Sequence, residues 1–177
     1  MKFRRVIARL VAVSMVLGGL LAISAAPAHA LSCYDGWMRS DANNKYVSAE
    51  LGYSTTSPYY GMLRARASSS SGPWERFEFC WGVNNNPGNL AIRSLANGKW
   101  VSAELGRTGN DYAMLRARAS SIGPWETFNG LSGLRNSTNW KWVTAELGQT
   151  GSRDAMLRAR ANSYGPWEHF SNTGPQF

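Results

Sequence analysis

Three segments in the middle of the chain decide the fold. They are Trp100-Val101-Ser102-Ala103-Glu104-Leu105-Gly106, Met114-Leu115-Arg116-Ala117-Arg118-Ala119 and Gly123-Pro124-Trp125-Glu126-Thr127-Phe128. The first returns at Val47–Gly52 and, with Thr for Ser, at Val143–Gly148. The second returns at Met62–Ala67 and Met156–Ala161, the third at Gly72–Phe77 and Gly165–Phe170. Glu50, Glu104 and Glu146 mark a repeat of forty to fifty residues, a length that several repeat folds share.

The local pattern chooses among them. No helical period is sustained; short alternating runs are broken by turn chemistry. In the second copy Ala91–Leu95 alternates, and Asn97-Gly98 is a pair that favours a tight hairpin. Trp100–Leu105 places Val101, Ala103 and Leu105 on one face and Trp100, Ser102 and Glu104 on the other. After the Gly- and Asn-rich loop 106–111, Met114–Ala119 turns Leu115, Ala117 and Ala119 inward and Met114, Arg116 and Arg118 outward. Ser120–Pro124 is a turn, and Trp125–Phe128 begins a fourth strand. Four strands in each of three copies predict an all-β chain of twelve strands with pseudo-threefold symmetry, a β-trefoil. Six strands close a barrel and three hairpins cap one end. Propellers run to four or more blades, and an open solenoid needs atypical terminal copies that this chain lacks.

Residues 1–30 stand apart. Lys2, Arg4, Arg5 and Arg9 precede an apolar run from Leu10 to Ala25, and Ala28-His29-Ala30 has the small-x-small form of a cleavage site. This is the layout of a secretory signal peptide, and the run is short for a membrane span. The remaining residues, 31–177, form a single domain with repeats at about 33–82, 89–131 and 132–177. The net charge is +8, of which the leader carries four, so the domain keeps a mild surplus of +4. Its arginines recur with the repeats and do not cluster, which argues against a nucleic-acid partner. Cys33 and Cys80, the two cysteines, form an even pair in an exported domain and read as a disulfide between the first and fourth strands of repeat one. With His169 the one histidine after the leader, no Cys/His metal site can be assembled, and no cofactor is expected.

The run Ala96-Asn97-Gly98-Lys99-Trp100-Val101-Ser102-Ala103-Glu104, followed by Leu115–Ala119 and by Gly123-Pro124-Trp125-Glu126 with Phe128, resembles the fascin-like branch of the β-trefoils. The likeness runs through all three copies. Fascins proper bundle actin and carry four trefoil domains. The exported bacterial relatives of that branch are similar to carbohydrate-binding modules or lectins. The Gln-x-Trp signature of the more distant ricin-type lectins is absent, and the resemblance transfers no catalytic residue.

Sugar binding needs an aromatic face for the C–H side of a pyranose and polar groups for its hydroxyls. The outward face of each second strand offers Tyr46 with Glu50, Trp100 with Glu104 and Trp142 with Glu146. Each pair lies on one side of its strand, roughly 13 Å apart. Lys45, Lys99 and Lys141 would add donors. The structural alternative pairs each Glu across its hairpin with Arg64 or Arg66, Arg116 or Arg118, and Arg158 or Arg160. Both readings hold together if the Arg orients the carboxylate for the sugar. Glu75, Glu126 and Glu168 form a second set, at the mouth of the Gly-Pro-Trp-Glu turn, placed for backbone N–H groups or ligand hydroxyls. Phe77, Phe128 and Phe170 are expected in the core, as are Trp74, Trp125 and Trp167, while Met62, Met114 and Met156 pack beneath loops.

A secreted, monomeric, non-catalytic domain that binds a polysaccharide through three weak sites fits these features, with avidity joining the sites. The alternative is a protein-binding trefoil, an enzyme inhibitor or fascin-like actin binder, acting through the long loop 53–61. Catalysis lacks its minimum constellation. The six recurrent Glu residues share similar environments, no nucleophile motif accompanies His169, and the unique acids show no pairing.

Overall fold

A computed structural model describes residues 30–173. The expected leader lies, but for Ala30, outside the described residues, as do residues 174–177. The strands are β1 (Ser32–Gly36), β2 (Met38–Ser40), β3 (Lys45–Glu50), β4 (Met62–Ala67), β5 (Phe77–Trp81), β6 (Asn89–Ser94) and β7 (Trp100–Ala103). They continue as β8 (Leu115–Ala119), β9 (Phe128–Asn129), β10 (Arg135–Asn136), β11 (Trp142–Glu146), β12 (Met156–Ala161) and β13 (Phe170–Asn172). Thirteen strands thus replace the expected twelve among the described residues, because the first one is interrupted at Trp37.

All pairs are antiparallel and belong to one continuous sheet. A wall runs β1–β5–β6–β9–β10. At its ends β13 pairs with β2, and the Phe170 N–H donates to the Ser132 carbonyl. Three hairpins rise from it with one register. Val47 faces Ala65, Val101 faces Ala117 and Val143 faces Ala159; Ala49, Ala103 and Ala145 face Leu63, Leu115 and Leu157. Each hairpin carries a bulge at its base. Tyr46 faces Ala67 while Val47 faces Ala65, so Arg66 is the unpaired residue; Arg118 and Arg160 are its equivalents. An extra residue bends its strand and re-aims its side chain, here outward.

The Asn of each turn closes that base. Asn43, Asn97 and Asn139 donate through Nδ2 to the carbonyls of Ala65, Ala117 and Ala159, and accept from the N–H of Lys45, Lys99 and Lys141. The next residue, Asn44, Gly98 or Trp140, has positive φ. Gly is at ease in this left-handed conformation and Asn tolerates it, whereas a Trp there is strained.

The core lies between wall and hairpins. Phe77, Phe79, Phe128 and Phe170, with the paired Val, Leu and Ala of the hairpins, are buried. Each large apolar side chain contributes about 1.5–3 kcal/mol of transfer free energy. Cys33 and Cys80 face each other on β1 and β5 and are bonded. Closing a loop of 47 residues stabilises the fold by about 4 kcal/mol on the chain-entropy account.

Both faces of each hairpin are buried where the three meet, which corrects the expected outward orientation of Met114 and Arg116. Met62 pairs with Arg116, Met114 with Arg158 and Met156 with Arg64, a closed cycle in which Met62, Met114 and Met156 pack together under Tyr59. Each of these arginines is buried and reaches into the repeat that precedes it around the cycle. Arg64 donates to the Asp154 carbonyl at 2.7 Å, Arg116 to that of Tyr60 at 2.8 Å and Arg158 to that of Tyr112 at 2.8 Å. The residues that follow those carbonyls, Ala155, Gly61 and Ala113, have positive φ and accept from the N–H of Ala65, Ala117 and Ala159. The strained turns therefore aim carbonyls across the repeat boundary.

Candidate functional site

The pairs proposed for ligand contact do not form an open platform. Glu50, Glu104 and Glu146 are 4, 4 and 2% exposed. Arg66 donates to Glu50 through Nε and Nη2, at 2.5 and 2.6 Å. Arg160 binds Glu146 through the same two nitrogens, and Arg118 binds Glu104 through Nε. An ionised carboxylate out of water needs such partners. Burial there follows from the hairpin, since Glu50 lies opposite the buried Met62 at the end away from the bulge.

The second-strand rings are half-buried, with contacts on their faces. Tyr46 meets Trp37 edge-on at 5.1 Å, and Arg93 lies 5.3 Å above Trp100. Trp142 contacts Arg135 at 5.3 Å and Tyr164 at 4.9 Å. Lys45 and Lys99 are spent on Ser68 and Ser120, and Lys141 on Asn162. Of the second set, Glu126 and Glu168 are buried and accept from the N–H of Gly123 and Gly165, the backbone role foreseen for them. Glu75 is half-buried and close enough to Arg66 to help hold its guanidinium charged, after the larger effect of the Glu50 bond.

The surface that is open in every repeat is the tryptophan of Gly-Pro-Trp-Glu. Trp74, Trp125 and Trp167 are 40, 37 and 43% exposed, against the expectation of burial. The reason is local. Pro73–Glu75, Pro124–Glu126 and Pro166–Glu168 form 3-10 turns, and the strands begin at Phe77, Phe128 and Phe170. The Trp therefore belongs to the turn and the Phe takes the core position.

Each ring rests on a glycine of the second strand's end. A Cβ added to Gly52, Gly106 or Gly148 would lie 3.6, 3.3 or 3.7 Å from the far edge of Trp74, Trp125 or Trp167. Glu50, Glu104 and Glu146 lie two residues before these glycines. The guanidinium held by each carboxylate keeps nearly half of its side chain in water: 47% for Arg66, 47% for Arg118 and 44% for Arg160. The glutamate bond raises the Arg66 and Arg160 guanidiniums above their ordinary value. Three times, then, an exposed indole rests on a glycine two residues past a buried glutamate that holds a half-exposed arginine. An indole offers C–H/π stacking and a held guanidinium offers directed donors.

The loop 53–61 is tied down, its Tyr60 and Ser57 carbonyls accepting from Arg116 and its Tyr59 lying under Arg153. Repeat three adds a ladder in which Arg135 lies between Trp140 and Trp142, and Tyr164 stacks on His169 at 4.3 Å. One cleft of about 300 Å³ is lined by Trp81, Gly82, Asn85 and Pro87, and another of about 260 Å³ by Asp41, Ala42, Pro166 and His169. Among the described residues one cluster has metal-donor types, Cys33, Glu78 and Cys80, and its thiols are consumed by the disulfide. No helix among the described residues is long and apolar enough to cross a membrane.

No protein-family model matches the chain, and no curated protein matches it in sequence. Its likeness to known proteins lies in three dimensions. The designed 3-fold symmetric protein ThreeFoil superposes with a TM-score of 0.61 at 15% identity, over 80% of this chain and 99% of ThreeFoil. The Rhizoctonia solani agglutinin superposes with a TM-score of 0.57 at 8% identity, over 81% of this chain and 96% of the agglutinin. A mosquitocidal holotoxin gives 0.61 at 10% identity, over 81% of this chain and 17% of the toxin chain. At these identities the likeness shows a shared fold.

Proposed function

We propose that this chain is an exported β-trefoil of the fascin-like branch that binds a polysaccharide, without catalysis, through three equivalent platforms. The observation that carries the reading is the exposed tryptophan in each repeat, seated on a glycine near an arginine that a buried glutamate holds in place. Trp74, Trp125 and Trp167 stack on a sugar ring, Arg66, Arg118 and Arg160 donate to its hydroxyls, and Glu50, Glu104 and Glu146 position those arginines. Tyr46, Trp100 and Trp142 support the platforms from the side. A disulfide suits an oxidising compartment. One structural neighbour is named an agglutinin, and clumping of particles is what several glycan sites on one molecule produce.

Affinity electrophoresis against soluble β-glucans, galactans and xylans tests the reading. Wild type is retarded by at least one of them, each single Trp→Ala variant less so, and the triple variant runs free while keeping its thermal unfolding transition. Equal mobility of wild type and a folded triple variant on every glycan would falsify it. The protein-binding alternative draws less support, because the loop it needs is fastened to Arg116 and Arg153.

A further inference from the structure

The three platforms differ in charge type two residues past the leucine that follows each buried glutamate: Tyr53, Arg107 and Gln149. This residue directly follows the glycine on which the platform tryptophan rests. In repeats one and three the carboxylate takes Nε and Nη2 of one arginine. In repeat two Arg118 binds Oε1 through Nε, while Arg107 Nε stands 3.5 Å from Oε2. Glu146 also has a second guanidinium within reach, but that one is Arg158, 3.9 Å away and buried at the junction, whereas Arg107 keeps 25% of its side chain in solvent; repeat two therefore adds an accessible guanidinium beside its platform. Arg107 also comes within 3.9 Å of the Asp111 carboxylate, which Arg153 of repeat three binds at 2.7 Å.

We infer that repeat two takes an acidic sugar, its ring on Trp125 and its carboxylate on Arg107 and Arg118, whereas repeats one and three take neutral units. This rests on the glycan-binding reading above. A guanidinium presents a planar fork that matches a carboxylate, and Arg118 has an Nη group free of the second bond that Arg66 and Arg160 make. A charged platform between neutral ones suits a polymer in which uronate and neutral units are mixed.

The test uses oligosaccharides from pectin, alginate and hyaluronan, each as the free acid and as its methyl ester, titrated by calorimetry. The ester keeps the ring and removes the charge. Wild type binds at least one acid on the order of tenfold tighter than its ester, with a preference that shrinks as salt rises. Arg107→Gln, which copies repeat three, brings acid and ester to equal affinity. Gln149→Arg, which copies repeat two, adds a second acid-preferring site. Far-ultraviolet melting verifies that both variants are folded. If wild type binds acid and ester alike, or Arg107→Gln keeps the preference, this inference is overturned and the glycan reading stands. If no glycan of either kind binds, both fall.

Discussion

Met-Leu-Arg-Ala-Arg-Ala carries two arginines two residues apart, and they live in opposite worlds. Arg64, Arg116 and Arg158 are buried where the hairpins meet, bonded to carbonyls of the neighbouring repeat. Burial lowers the Arg116 and Arg158 guanidiniums from their ordinary value. Arg66, Arg118 and Arg160 sit at the bulge, half in water, on a glutamate of their own hairpin. The first set joins repeats and the second furnishes the surface. A motif repeated for one structural reason thus yields a buried tie between repeats and a surface cation, separated by two residues and a bulge.

Substitution should separate the two roles. Arg158→Met removes the charge-assisted bonds that a buried guanidinium makes to the Tyr112 and Gly109 carbonyls across the repeat boundary, so it should lower unfolding free energy by about 3–5 kcal/mol in urea titrations. Arg160→Gln keeps an amide donor for the buried Glu146, with Arg158 Nη1 at 3.9 Å, and should cost about 1–2 kcal/mol, because the lost guanidinium is half solvated. Equal losses at the two positions would break the comparison. The junction also holds backbone strain. Ala113 and Ala155 adopt the positive φ that Gly61 adopts in repeat one, and Ala113→Gly should raise stability by about 0.5–1 kcal/mol. Its mirror, Gly61→Ala, should destabilise, since the new Cβ would lie 2.6 Å from the Ala117 carbonyl oxygen. The smallest effect is expected from Trp167→Ala, within about 1 kcal/mol in stability because the ring is largely exposed, together with weaker retardation on a bound polysaccharide.

Much of this was legible in the chain. The register of every hairpin follows from the alternation of Val, Ala and Leu, the tight turns from their Asn, and the core Phe from its place after the Gly-Pro-Trp-Glu turn. The Glu–Arg pairing also follows from cross-strand reach. The platform differs from the sequence expectation at one point: bulk places Trp74, Trp125 and Trp167 in the core, and the structure holds them in exposed turns. The signal that corrects this was present. A Pro at the first position of a short helical turn, with an acid two residues on, starts a 3-10 turn as readily as a strand. Nothing in the sequence announced that the bulge would fall on Arg66, Arg118 and Arg160, because a bulge is decided by how two strands meet and by the Asn that ties off the spare carbonyl.

Sequence alone determined the local grammar: three copies, short strands, tight turns, and a cysteine pair in cross-strand register. Those depend on neighbours within a few residues or on the plain arithmetic of repetition. Which outward faces meet water was decided by tertiary structure. The partner that covers Arg64 lies 90 residues away at Asp154, and the one that covers Arg116 lies 56 residues away at Tyr60. Alternation along a strand gives two faces, and only the packing of one repeat against the next determines that both are dry at the junction and one is wet at the bulge.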